Sequence, residues 1–293
     1  GKSRTSDWPM RTTPRVGLSS SATPMDRRLL TGLVGLAFVP AVVSIAALIA
    51  PHLALSPLCT DITAFAGATL TTLVALALLS RGALHRWLRI ALFVAAPLTV
   101  LAIALSNGQR PAHAIAIAAS LTAFGHVLGD LIGHHIEDPG HLPPASIVAS
   151  VADVVSVPHP SGPSHSVIAS EHGLSWMAVA FPVPGTSALA PAIGVGDLLF
   201  IALLLAAARR HALPWRRGVL LIAGGAAVAG FVSYSLEAAI PALPAIGLAF
   251  IAGIPGARKL RPKDRTLAIA SMVGALVLGG SLLASRFLLQ PAP

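Results

Sequence analysis

The chain has 293 residues, of which 55% are hydrophobic and 11% charged, and its mean hydropathy is +0.79. A water-soluble domain carries roughly a quarter charged residues, so this balance excludes an ordinary soluble fold. The net charge of +9 and the single cysteine, Cys59, then need readings other than a nucleic-acid surface or a disulfide framework.

Residues 1–28 are polar and carry Lys2, Arg4, Arg11, Arg15, Arg27 and Arg28. They read as a disordered basic tail, with Met10 or Met25 as the natural start. Apolar runs follow at 29–50, 61–80, 87–106, 112–136, 143–157, 191–209, 217–235, 237–255 and 266–288. Backbone polar groups in hydrocarbon must be satisfied within the segment or in a closed barrel. Unbroken blocks about 20 residues long, without alternation, point to helices. The expectation is an all-α, polytopic bundle of nine spans. A cleaved signal peptide is not expected, because the first run is long enough to span and further spans follow.

With the N-terminus in the cytoplasm and alternating spans, Arg81, Arg86, Arg89, Arg209, Arg210, Arg216 and Arg217 fall inside. So does the run Arg258, Lys259, Arg261, Lys263 and Arg265, whereas Arg110 and Arg286 fall outside. That asymmetry predicts an N-in, C-out orientation, and it explains the basic charge as topology. Trp87 and Trp215 flank the basic loops, where interfacial tryptophans belong. The compact loops and the lack of an organellar presequence suggest a prokaryotic plasma membrane. The connection 158–190 has no Lys or Arg, and its apolar stretch 175–181 is too short to span. It reads as strand-like or interfacial, or as a loop lying on the bilayer surface.

Ionisable residues inside spans are costly and mark candidate sites. Asp153 lies in the fifth run and Asp197 in the sixth, each several residues from the ends joined by 158–190. Adjacent antiparallel helices bring such carboxyls to similar depth. Two close carboxyls share one proton, so one serves as base on a water while the other polarises a carbonyl. The same pair also suits a proton or cation relay, or hydrogen bonds that pack helices. Gly194 and Gly196 precede Asp197 and thin one helix face. Pro241-Ala242-Leu243-Pro244 opens the eighth run, and two prolines there free backbone carbonyls. Irregular backbone at that depth is tolerated in buried or cavity-lining positions.

An intramembrane Asp, a GxGD on the next span and a PAL motif after one further span resemble the presenilin and signal peptide peptidase family. The resemblance covers about residues 143–255 and includes the stretch from Ser150 to Pro163 around the first aspartate. It implies an intramembrane aspartyl protease with Asp153 and Asp197 catalytic. Gly194, Gly196, Pro241, Ala242, Leu243 and Pro244 would shape the site and position substrate. The catalytic helices would run as in the signal peptide peptidase branch, opposite to presenilin. Ala152 departs from the pattern, since the family usually has tyrosine before the first aspartate. Prepilin peptidases share GxGD but lack PAL.

This reading divides the chain into a four-span scaffold at 29–142, a catalytic core at 143–255, and a basic loop with an extra span at 256–293. Its partners are a transmembrane peptide substrate and the lipid bilayer, with no nucleic acid and no cofactor. An unwound substrate segment would pair with 175–181 or with the backbone at Pro241–Pro244.

A second constellation lies in Gly125–His141. His126, Asp130 and His134 are spaced i, i+4, i+8 on one helix face, and all three types ligate metals. That supports an alternative, an ion- or metal-coupled transporter or a membrane metallohydrolase. The other reading is a polar helix end and turn closed by Pro139-Gly140.

Overall fold

The computed structural model describes residues 24–289 apart from 83, 107–110, 158–164, 168–169, 171–172 and 239. Each of the nine apolar runs contains a helix. In chain order the elements are α1 (Pro24–Ile49), α2 (Pro57–Arg81), α3 (Arg86–Leu105), α4 (Pro111–His135) and α5 (Leu142–Ser156). Next come α6 (Gly173–Met177), β1 (Ala178–Pro182), β2 (Leu189–Gly194), α7 (Val195–Arg210), α8 (Trp215–Ser235), α9 (Leu243–Gly253) and α10 (Arg265–Leu289). Their starts follow local chemistry. The Ser56 side chain caps α2, the His85 side chain caps α3, and prolines sit in the first turns of α2, α5 and α9.

Among the described residues six helices (α1, α2, α3, α4, α8 and α10) are long and apolar enough to cross a membrane. Their outward residues are apolar: Leu48, Leu105 and Leu267 are 74%, 75% and 77% exposed, which water would penalise and lipid does not. This is the architecture of a helical integral membrane protein. Helices α5, α7 and α9 have 15, 16 and 11 residues. At 1.5 Å per residue they are about 22, 24 and 16 Å long, less than the ~30 Å hydrocarbon core. Those three short helices carry Asp153, Asp197 and Leu243.

Several expectations need correction. The fold is the expected helical bundle, with one unexpected addition: β1 and β2 form an antiparallel pair running from Ala178 opposite Gly194 to Pro182 opposite Leu189. Only the second part of 175–181 is strand, and the first part completes α6. Its partner strand takes the first residues of the expected sixth span, so α7 begins at Val195 rather than 191. The eighth run is helical only from Leu243, since Glu237 has φ 49° and Pro241 lacks an N–H. Residues 24–28, expected in the tail, belong to α1, while 1–23 lie outside the described residues.

Helix α4 sits at the centre and packs most closely against α7. Gly125, Gly129 and Gly133 make that approach possible. A Cβ on them would lie 2.8 Å from Leu198 Cβ, 2.6 Å from Ala202 Cβ and 2.7 Å from Ala206 Cβ. All five β1 residues are buried, and Phe181 fills the space over Gly67 of α2. On the far side, α5 packs against α9 and α10, and α9 against α8. The turn after α4 is tied down by Asp138, which accepts a hydrogen bond from Gly140 N–H (2.8 Å) and pairs with Arg261 Nε (2.7 Å). Asp138→Asn is expected to lower stability by ~1 kcal/mol, since the partner arginine is solvent-screened. Thermal unfolding in detergent measures the change.

Candidate active site

The Gly194-Val195-Gly196-Asp197 segment straddles a strand-to-helix junction. Gly194 ends β2 and precedes α7, which places Asp197 in the helix's first turn. There a carboxylate faces the unpaired N–H groups and the positive end of the helix dipole. Asp197 Oδ2 accepts a hydrogen bond from Gly194 N–H at 3.2 Å, which is half of a capping box. Its depth thus comes from a helix that starts within the bundle, not from a position partway along a full span.

Asp153 is held from a distant part of the chain. Its Oδ2 accepts a hydrogen bond from Leu243 N–H at 3.2 Å, across 90 residues of sequence. Leu243 is the first residue of α9, so its N–H has no partner within that helix. Pro241 and Pro244 have no N–H to offer. The Pro-Ala-Leu-Pro sequence therefore leaves a donor at a helix N-terminus, aimed at a carboxylate.

The two carboxylates lie within electrostatic reach of each other. They do not meet across one pair of tightly packed helices, as the sequence suggested, because α5 packs on α9 and α10 whereas α7 packs on α4. The start of α9 lies beside both instead. Asp153, Gly196 and Leu243 line a cavity of about 900 Å³, together with Leu199 and Phe200 of α7. Asp197 and Ala242 line a neighbouring space of about 40 Å³ with Ile193 of β2 and Ile246. Each aspartate accepts a hydrogen bond from a backbone N–H on Oδ2, which among the described residues leaves Oδ1 for water or a bound group. Apart from Asp153 and Ser156 the large cavity is lined by apolar residues and glycines, suited to a hydrophobic chain segment.

The two glycines of the motif differ from those that pack helices. A Cβ on Gly196 meets nothing within 4 Å, and one on Gly194 meets only Asp197 Oδ2 at 3.5 Å. Neither glycine is demanded by packing, and Gly196 opens onto the large cavity. Gly196→Val is expected to fold with unchanged thermal stability, since no neighbour lies within 4 Å of the added Cβ. Thermal unfolding in detergent checks it.

Two contributions escape a motif-based reading. One wall of the large cavity is α10, through Gly274, Ala275, Leu278, Gly279 and Leu282, beyond the region covered by the family resemblance. Gly279 seats α10 on Val151 of α5. The other is the Gly125, Gly129, Gly133 stripe, present in the very segment whose histidines drew notice. Its i, i+4, i+8 spacing was the available signal.

His126, Asp130 and His134 do not assemble into a shared ligand set. Asp130 Oδ2 pairs with Arg89 Nη1 at 2.9 Å; His134 Nδ1 lies 2.8 Å from the Asp130 carbonyl oxygen and 3.4 Å from its Oδ1. His126 is buried. Among the described residues no group of three or more His, Cys, Asp and Glu is placed to hold a metal ion. The turn at Asp138–His141 is a short helical turn capped by Asp138.

No protein-family model, no curated protein and no solved structure matches this chain.

Proposed function

We propose that the chain is an intramembrane aspartyl protease, a divergent relative of the presenilin and signal peptide peptidase family. It hydrolyses peptide bonds within transmembrane segments. The observation that carries this reading is the bond from Leu243 N–H to Asp153, which ties the first aspartate to the Pro-Ala-Leu segment beside the second aspartate. A helix-packing role for the carboxylates gives no reason for a cavity of about 900 Å³ beside Asp153.

In the proposed mechanism the substrate helix unwinds locally, because its own hydrogen bonds shield the scissile carbonyl. One carboxylate of the pair takes a proton from a water, which attacks the carbonyl carbon. The other carboxyl donates its proton to the carbonyl oxygen. Collapse of the tetrahedral intermediate breaks the C–N bond: the leaving amine takes the proton held by the first carboxyl, and one hydroxyl of the diol returns its proton to the second as the new carbonyl forms. No cofactor enters these steps. The unwound segment pairs with the outer edge of β2, which is partly exposed where β1 is fully buried. This moves the pairing edge from 175–181 to 189–194. Nine membrane-embedded helices with N-in, C-out topology complete the proposal.

Cleavage of a synthetic single-span peptide by the purified protein in liposomes tests the reading. Excess chelator is expected to leave that cleavage unchanged. A transporter or metallohydrolase built on His126, Asp130 and His134 has less support, since among the described residues these three do not converge on one ion and Asp130 is paired with Arg89.

A further inference from the structure

A second concentration of charge lies at the end of the bundle where α1, α3 and α8 begin and α2, α4 and α7 end. Three contacts knit that end together. Arg89 of α3 pairs with Asp130 of α4 at 2.9 Å, the Arg81 guanidinium lies 3.9 Å above the Trp215 ring, and His211 Nε2 lies 2.8 Å from the Ile136 carbonyl oxygen. Arg209, at the end of α7, is within electrostatic reach of Asp130, Arg28, Arg81 and Arg89. Among the described residues, Arg28, Arg81, Arg89 and Arg209 share this end of the bundle, and of these only Arg89 is paired with Asp130. Arg28, Arg81 and Arg209 are exposed.

The inner part of this cluster has unused polar atoms. His126 is 3% exposed, and its Nδ1 has no hydrogen-bond partner. The Arg89 Nε is buried and unpartnered as well. Asp130, Arg89, Arg209 and His134 all act electrostatically on His126. Buried polar atoms without partners cost stability, so an anion seated among these arginines would accept from the unmet Arg89 Nε.

We propose that this cluster binds the phosphate of an anionic phospholipid headgroup. Arg28, Arg81 and Arg209 would donate to the phosphate, and the Arg89–Asp130 pair would form its inner wall. Guanidinium forks match phosphate oxygens in paired hydrogen bonds. Trp215 lies under the Arg81 guanidinium and Trp87 opens α3 two residues before Arg89, and indole rings favour the headgroup region. Below it, Leu30 and Leu33 of α1 and Ile90 and Val94 of α3 are exposed apolar side chains, a surface for acyl chains that a free anion would not use. Basic pockets between helices at a membrane surface bind lipid headgroups in this way. The site is independent of the aspartate pair.

Native mass spectrometry of the detergent-solubilised protein with phosphatidylglycerol or phosphatidylcholine tests the proposal. Phosphatidylglycerol adducts are expected to dominate and to weaken about a hundredfold in the triple variant Arg28→Gln, Arg81→Gln, Arg209→Gln, roughly fivefold per arginine. Arg209→Gln alone should show the single step if the triple variant does not fold. Removing equal charge from the loop, as Arg258→Gln, Lys259→Gln, Lys263→Gln, should leave the adducts in place. Equal binding of both lipids, equal loss in the loop variant, or displacement of the lipid by millimolar inorganic phosphate would overturn it.

Discussion

Asp153→Asn and Asp197→Asn are each expected to reduce cleavage of a transmembrane peptide by about 10³-fold or more. General acid–base catalysis alone contributes ~10²–10⁴-fold, and a pair acting as a unit loses most of its effect when either member is removed. The double variant should therefore be little worse than either single one. Neither substitution should unfold the protein. An Asn side-chain oxygen still accepts the hydrogen bond from Leu243 N–H at position 153, or from Gly194 N–H at position 197. Thermal stability in detergent separates loss of chemistry from loss of fold. A correctly folded single variant that keeps a tenth of the wild-type rate would remove the aspartates from the chemistry.

The second large effect concerns the scaffold. Gly129→Leu is expected to prevent assembly of α4 with α7. A Cβ at that position would already lie 2.6 Å from Ala202 Cβ and against the Leu199 carbonyl. Overpacking a close interface costs ~1–3 kcal/mol for added methylenes, and leucine adds a whole side chain where not even its first carbon fits. The consequence reaches the site, because α4 supports α7, whose first turn holds Asp197. Gly224 of α8 is the control, with nothing within 4 Å of a Cβ. Gly224→Leu should leave the yield of monodisperse protein and its thermal transition unchanged, whereas Gly129→Leu should abolish both. Similar behaviour of the two variants would contradict the close-packed role of Gly129.

The apolar runs were legible because hydrocarbon allows few backbone solutions, and a helix forms within every one of them. What composition cannot separate is a full span from a short helix preceded by other structure. Leu189–Gly194 is as apolar as the helix after it, so hydropathy merges the two. Its strand conformation comes from pairing with β1, a non-local contact. The same merging hid 237–242 inside the eighth run, although Pro241 and Pro244 gave warning of a late helix start.

The candidate site was legible as residue types and spacing, and less so as geometry. Asp153, Asp197 and the Pro241–Pro244 segment are indeed neighbours, but the start of α9 mediates between them, through a backbone N–H that no side-chain pattern encodes. The part played by α10 was hidden for a related reason. Its cavity-lining positions are Gly, Ala and Leu, ordinary residues for any membrane helix, and only packing of Gly279 on Val151 brings them to the site. Conversely, the spacing of His126, Asp130 and His134 was suggestive by periodicity, yet Arg89 from a neighbouring helix claims the central carboxylate.

The central claim is hydrolysis of a peptide bond within a membrane span by water held between Asp153 and Asp197. It is tested most directly by mass spectrometry of a single-span peptide incubated with the reconstituted wild-type protein in water enriched in heavy oxygen. The account predicts two product fragments with new ends inside the span, and one heavy oxygen atom in the new carboxylate. A peptide that stays intact beside folded, correctly inserted protein would contradict it.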